Sequence, residues 1–89
     1  MIIKYTSQFK KDYKKIQKQQ KDIEKLRVLI EKLSQKQKLN ESYFDHPLLG
    51  KWITYRECHI APDWLLIYKI TADSLILVRT GSHANLFKM

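Results

Sequence analysis

Residues 55–87 read YRECHIAPDWLLIYKITADSLILVRTGSHANLF, and the fold turns on this stretch. Two apolar runs lie in it, WLLIYKI (64–70) and SLILVRT (74–80), with Thr71-Ala72-Asp73 between them. A third run, KWITYRECHI (51–60), precedes them across Ala61-Pro62-Asp63. Short runs rich in Ile, Leu, Val, Tyr and Trp, bounded by Pro, Asp and Gly, are the pattern of strands joined by tight turns. Connections this short join antiparallel neighbours, because a parallel pair needs a long crossover. The prediction is an up-down-up meander.

Its register gathers polar residues. With Ile60 and Trp64 flanking the first turn, His59 sits beside the start of the middle strand. With Ile70 and Ser74 flanking the second, Trp64 pairs with Thr80. His59, Asp63, Trp64, Thr80 and Gly81-Ser82-His83 are then expected at one end of the sheet. A slip of one or two residues keeps that grouping but changes the face each side chain uses. Two imidazoles and a carboxylate from three segments are the first sign of a site.

Upstream, Met1 to Tyr5 is short and apolar and reads as a first strand on the sheet edge. Thr6-Ser7 offers a helix N-cap. Phe9, Tyr13 and Ile16 then recur at helical spacing, with Lys10, Lys11, Lys14, Lys15 and Lys18 turned outward. Gln17 to Lys21 has no apolar residue and marks a break. Ile23, Leu26, Leu29, Ile30 and Leu33 restore the period, predicting a second helix from Asp22 to Gln35. Two helices joined by a short turn form a hairpin on one sheet face. Residues 36–50, KQKLNESYFDHPLLG, read as a polar connector punctuated by Pro47 and Gly50 and anchored by Tyr43 and Phe44.

An 89-residue chain with 44% hydrophobic content has room for one domain with a modest core, here residues 1–89. No apolar run approaches the roughly 20 residues of a membrane helix, and the N-terminus lacks the pattern of a signal peptide. Cys58 is alone, which excludes an internal disulfide or a cysteine metal cluster and reads as a half-buried structural thiol. A cytoplasmic protein is the simplest expectation. The net charge of +8 is unevenly placed, since residues 1–38 hold 12 Lys/Arg against 4 Asp/Glu and residues 39–89 hold 5 against 5. A basic half of this kind suits phosphate backbones or an acidic protein partner, and otherwise is a solvated lysine-rich surface.

Histidines, a carboxylate and basic residues suit cleavage of RNA by its own 2′-hydroxyl. That reaction needs no external nucleophile and no metal, only a base, an acid for the leaving 5′-oxygen and cationic help for the phosphorane. Histidine, with an unperturbed pKa of ~6.5, serves either proton-transfer role. Arg79 is positioned to supply the cation, and Phe87 or Trp64 to stack an unpaired base. Each residue also has a plain structural reading. His59 can bond a strand neighbour, His83 can be an exposed loop residue, and Asp63 after Pro62 is a favoured turn residue. Arg56-Glu57 can be an ordinary strand charge pair. A zinc site from His46, His59, Asp63 and His83 is the competing chemical reading, but the spacings follow no metal motif. The pairing argument does not place His46 near the others unless a loop folds back.

Three stretches carry a resemblance. They are DHPLLGKW at Asp45 to Trp52, YRECHIAPDWLLIY at Tyr55 to Tyr68, and RTGSHANLF at Arg79 to Phe87. In order and spacing they resemble the YafQ branch of the RelE toxin superfamily, while residues 1–44 match only in general character. The resemblance implies a bacterial type II toxin that cleaves messenger RNA on the translating ribosome. It implies the α+β RelE-like fold, with an N-terminal strand and a two-helix hairpin packed on a mostly antiparallel four-stranded sheet. It implies a cognate antitoxin, operator DNA binding by the toxin–antitoxin complex, and no metal or organic cofactor; a monomer is the simplest expectation for the free toxin. Carried over by residue, the catalytic set is His46, His59, Asp63 and His83, with His83 as general acid. His46 or His59 is the base, and Asp63 is its orienting partner. Lys51, Glu57, Arg79 and Phe87 are the expected substrate-binding residues, Lys51 and Arg79 at the scissile phosphate.

Two other readings compete. A non-cleaving RelE-like protein can bind antitoxin or ribosome and inhibit translation sterically, yet it has no need of an acid/base set. A general nucleic-acid-binding domain leaves the histidine cluster unexplained.

Overall fold

The computed structural model describes residues 1–50 and 53–87. Lys51, and Trp52 of the family-like motif, fall outside these residues.

The chain runs β1 (Ile2–Tyr5), α1 (Ser7–Lys18), α2 (Ile23–Ser34), a 3-10 turn (Glu41–Tyr43), β2 (His46–Pro47), β3 (Arg56–Ala61), β4 (Trp64–Ile70), β5 (Ser74–Gly81) and α3 (His83–Phe87). The sheet order is β1-β5-β4-β3-β2. The β1–β5 pair is parallel and the other three are antiparallel. The expected α+β class and the meander of the last three strands are therefore present, with five strands where four were expected. The additional strand is β2, two edge residues that include a proline and carry no sequence signal for a strand.

The two helices begin as their caps dictate. Thr6 Oγ1 accepts the Phe9 amide at 2.9 Å and donates to the Val78 carbonyl at 2.7 Å, so one hydroxyl caps α1 and ties it to β5. Asp22 caps α2 by accepting from the Glu24 amide at 3.1 Å. The break predicted between them contains Gln20 at φ 58°, which ends α1 and turns the chain.

β4 has apolar partners on both faces, which is why WLLIYKI is a continuous apolar run and not an alternating one. On one side Phe9, Ile16, Leu26, Leu29 and Leu33 of the hairpin pack on Cys58, Leu66, Tyr68, Leu75 and Leu77. On the other side Leu86 of α3 closes over Leu65 and Ile67. Each such leucine contributes about 1.5–3 kcal/mol of burial. Cys58 is fully buried, beyond the half burial expected.

The first hairpin has the predicted register, His59 opposite Leu65, followed by an irregularity that brings Ala61 opposite Trp64. The second departs from it. Ile70 pairs with Leu75, not Ser74, and a bulge at Val78 leaves Thr80 opposite Leu66. Trp64 still reaches Thr80 through its side chain, donating Nε1–H to Oγ1 at 2.9 Å. It is 3% exposed and packed in the helix-side core, so the base-stacking role considered for Trp64 is corrected to a structural one.

Candidate active site

Strand register builds the site. His46 pairs with Glu57, Glu57 with Ile67, and Ile67 with Arg79, which makes one row across four strands. The next row on the same face is His59, Leu65 and Gly81. Residues two apart on a strand share a face, so Glu57 and His59 point the same way. Arg56 points the other way and pairs with Asp45 at 3.3 Å, which corrects the idea of an Arg56–Glu57 charge pair.

α3 covers this face. Its Leu86 is buried against the sheet, and the His83 and Phe87 rings lie 5.9 Å apart, one helical turn along. Gly81, at φ 151°, carries the chain from β5 into α3. A Cβ there would stand 3.4 Å from Leu86 Cδ2, on a backbone that side chains rarely adopt.

Three imidazoles converge on Glu57. His83 Nε2 and His59 Nε2 lie 3.4 and 3.5 Å from its Oε1, and His46 Nε2 lies 3.8 Å from its Oε2. The Glu57 side chain is 5% exposed, whereas those of His46, His59 and His83 are 48%, 23% and 41% exposed. The carboxylate is thus the floor of the site and the imidazoles are its rim. Phe44 meets His59 edge-on at 5.5 Å and extends the rim with an exposed aromatic face.

His46 arrives because the connector folds back. Asn40 caps the 3-10 turn through Ser42, and Phe44 takes a left-handed φ of 48°. Asp45 then accepts hydrogen bonds from Arg56 and from the Tyr68 hydroxyl, locking the loop beside the sheet. Burial, followed by the Asp45 hydrogen bond, pushes the Tyr68 hydroxyl well above its ordinary range. His46 Nδ1 lies 2.5 Å from the Phe44 carbonyl. A carbonyl only accepts, so in neutral His46 the proton is assigned to Nδ1 and the lone pair to Nε2.

Of the sequence-predicted residues, His46, His59, His83, Glu57 and Phe87 come together. Asp63 reaches the same end of the sheet but sits exposed in the β3–β4 turn. Among the described residues, the carboxylate meeting the imidazoles is that of Glu57. Arg79 shares the Glu57 row, yet its guanidinium turns to Asp12 of α1. Lys51 lies outside the described residues.

Glu57, His59 and His83 also offer one ligand atom each within 4.8 Å of one another, which is a set able to hold a metal ion. Two imidazoles and a carboxylate with open positions suit Cu(II) or Zn(II).

Residues 1–88 match the family described as a bacterial toxin of type II toxin–antitoxin systems, YafQ. The chain is 48% identical to the mRNA interferase toxin YafQ of Escherichia coli K12 over 86 residues, covering 96% of this chain and 94% of that one. It superposes on a copper-bound mutant toxin from Helicobacter pylori with a TM-score of 0.94 at 40% identity, covering 98% and 99% of the two chains. It superposes on YafQ in the E. coli DinJ–YafQ complex with a TM-score of 0.89 at 48% identity, covering 96% of each.

Proposed function

We propose that this chain, which belongs to the YafQ family of bacterial type II toxins, cleaves messenger RNA on the translating ribosome without a metal. The observation that carries this reading is the convergence of three imidazole Nε2 atoms on one buried carboxylate. His46 Nε2 takes the proton of a 2′-hydroxyl, the 2′-oxygen attacks the adjacent phosphorus, and the 5′-oxygen leaves with a proton from His83 Nε2. The products are a 2′,3′-cyclic phosphate and a 5′-hydroxyl. Glu57 is the counter-charge for whichever imidazole carries the proton, and His59 packs between the other two, 6.4 Å from His46 and 5.8 Å from His83 by ring centroid. Phe87 and Phe44 flank the rim where a base can stack. Asp63 is exposed at the turn, and Glu57 takes the orienting role expected of Asp63.

Residues 1–89 act as one toxin unit in the cytoplasm, where ribosomes are. Among the described residues no helix is long and apolar enough to cross a membrane. A cognate antitoxin neutralises the toxin, in keeping with the toxin–antitoxin complex that E. coli YafQ forms with DinJ, and the pair binds operator DNA. Its seat is a groove of about 720 Å³ floored by Phe9, Tyr13, Ile23, Leu26 and Ile30, with Lys10 and Lys14 on its lining beside an Arg27–Glu31 ion pair. An apolar floor with cationic sides fits an amphipathic acidic segment.

Primer extension on one messenger RNA in a translating extract tests the activity. Wild type is expected to cut only where ribosomes are engaged, and His83→Ala not at all. Blocked translation without cuts would establish a steric inhibitor instead.

A further inference from the structure

The helix α1 carries lysines on every exposed turn and a single acid, Asp12, which is 7% exposed. A buried carboxylate inside a basic helix needs partners, and it has them. Asp12 accepts Arg79 Nε at 3.1 Å through Oδ2 and Arg79 Nη2 at 3.1 Å through Oδ1. It also accepts the Thr80 amide at 3.2 Å and the Gln8 side-chain amide at 3.3 Å. The guanidinium is therefore held along its Nε–Nη2 edge. Of its five N–H donors the carboxylate engages two, and the other end of the fork keeps donors suited to phosphate oxygens.

Arg79 lines a cleft of about 190 Å³ between α1 and α3, together with Lys11, Lys15, Gln8, Gln19 and Asn85. The α1 residues come at spacings of three and four, so they form one polar stripe on the helix. With Asp12 neutralised by Arg79, the charge left in the cleft is that of Lys11 and Lys15. On α3, Asn85 and the His83–Phe87 pair lie on opposite flanks of the buried Leu86, by the 100° turn per residue. The cleft is thus on the far side of α3 from the histidines. Arg79 is two strands from Glu57 in the same row, about 10 Å at ~4.8 Å per strand.

We propose that this cleft seats a backbone phosphate of RNA beyond the scissile one. Arg79 is its fixed donor, Lys11 and Lys15 are its point charges, and Asp12 is the positioning residue that fixes Arg79. The inference rests on the RNA-cleaving reading above. It revises the placement of Arg79 at the scissile phosphate to a neighbouring phosphate, on messenger or ribosomal RNA.

The test uses the full chain, with Lys11→Gln/Lys15→Gln and Asp12→Asn variants checked for folding by circular dichroism. Binding to empty ribosomes and to ribosomes programmed with a 2′-deoxy, uncleavable message is measured against salt. In a parallel arm, single methylphosphonates replace phosphates flanking the cleavage site. The lysine pair should lower the slope of log K against log salt by about 1, one phosphate contact. Asp12→Asn should raise KM with kcat little changed, an outcome that loss of core structure alone would not give.

If the wild type loses affinity with one methylphosphonate and the lysine variant loses nothing further, the phosphate belongs to the message. If the lysine variant weakens binding to empty ribosomes and no methylphosphonate matters, it belongs to ribosomal RNA. Either result supports the seat. Unchanged slopes in both arms for the lysine pair overturn it, even if Asp12→Asn is unstable. A wild type that binds as described but does not cleave would sink the nuclease reading and leave the seat standing.

Discussion

Glu57 is the residue on which the three histidines agree, and removing its charge without changing its shape is the direct probe. Glu57→Gln keeps the packing of a side chain that is 5% exposed but removes the counter-charge of the rim. The expected result is a fall in single-turnover cleavage of on the order of 10²-fold or more, with little change in melting temperature. Cleavage at the wild-type rate would place the chemistry elsewhere. The same geometry predicts two responses to metal. Cleavage should persist in excess EDTA, and Cu(II) should inhibit by occupying lone pairs of His59 and His83. Loss of activity in EDTA would contradict the metal-independent reading. Cys58 offers a third check, because burial, followed by the nearby Asp45 and Glu57 charges, pushes its thiol far up. It should resist alkylation at pH 8 until the protein unfolds. His59 was legible from the strand register, whereas Glu57 read only as a strand charge beside Arg56 and, through the family resemblance, as a substrate-binding residue. The predicted register puts Asp63 at the same sheet end as His59, and the resemblance gives it the orienting role. Proximity along the chain says nothing about which carboxylate the face buries.

At the scale of elements, the connector from Asn40 to Pro47 decides whether His46 belongs to the site. Its anchor is Asp45, which accepts from Arg56 and Tyr68 on two strands. Asp45→Ala should cost about 1–3 kcal/mol of stability and leave the Tyr68 hydroxyl and Arg56 without that partner. Activity should fall further than stability explains, because β2 loses its hold and the His46 base drifts. A denaturant melt beside a cleavage assay at a temperature where the variant is folded separates the two. Tyr68 gives the pH signature of the same anchor. Its folded pKa lies above the ordinary 10.0, so the unfolded chain releases this proton first as pH rises. The contribution is therefore full below pH ~10 and is lost above it. Tyr68→Phe should flatten the alkaline fall in stability, and an unchanged alkaline limb would count against the burial-and-Asp45 account. Of this connector only its polar character and the anchoring by Tyr43 were readable, while Phe44, expected to anchor it too, is 65% exposed. The connector has no periodicity, its turn uses a non-glycine residue at positive φ, and β2 is too short to show a pattern. The bulge at Val78 was equally silent, because nothing in SLILVRT distinguishes one inserted residue from a regular strand. The meander and the helical hairpin were legible, because burial on one or both faces leaves a period in the chain.

Over the whole molecule, the +8 charge is concentrated in residues 1–38, and the fold sends four of the α1 lysines in two directions. Lys10 and Lys14 line the apolar groove between the helices. Lys11 and Lys15 line the polar cleft toward α3. The sequence showed a uniformly basic helix. The division follows from where β1 and α3 flank it, which no local pattern encodes. If the groove takes the antitoxin and the cleft takes RNA, the two pairs separate the partners. Lys10→Glu/Lys14→Glu should weaken antitoxin binding while ribosome binding falls less, through diffuse field alone. Lys11→Glu/Lys15→Glu should do the reverse. All four reversed together should weaken ribosome binding and make it less sensitive to salt, since fewer counterions are released. Titrations of both partners at two salt concentrations test the crossing. Equal losses for both pairs against both partners would mean that α1 acts as one undivided charged surface. Ribosome binding whose affinity and salt slope are both unchanged in the fourfold variant would remove the basic helices from docking altogether. The crossed pattern would show that one short helix serves opposite partners on its two flanks, so that RNA and antitoxin are told apart by which lysines they find and not by net charge.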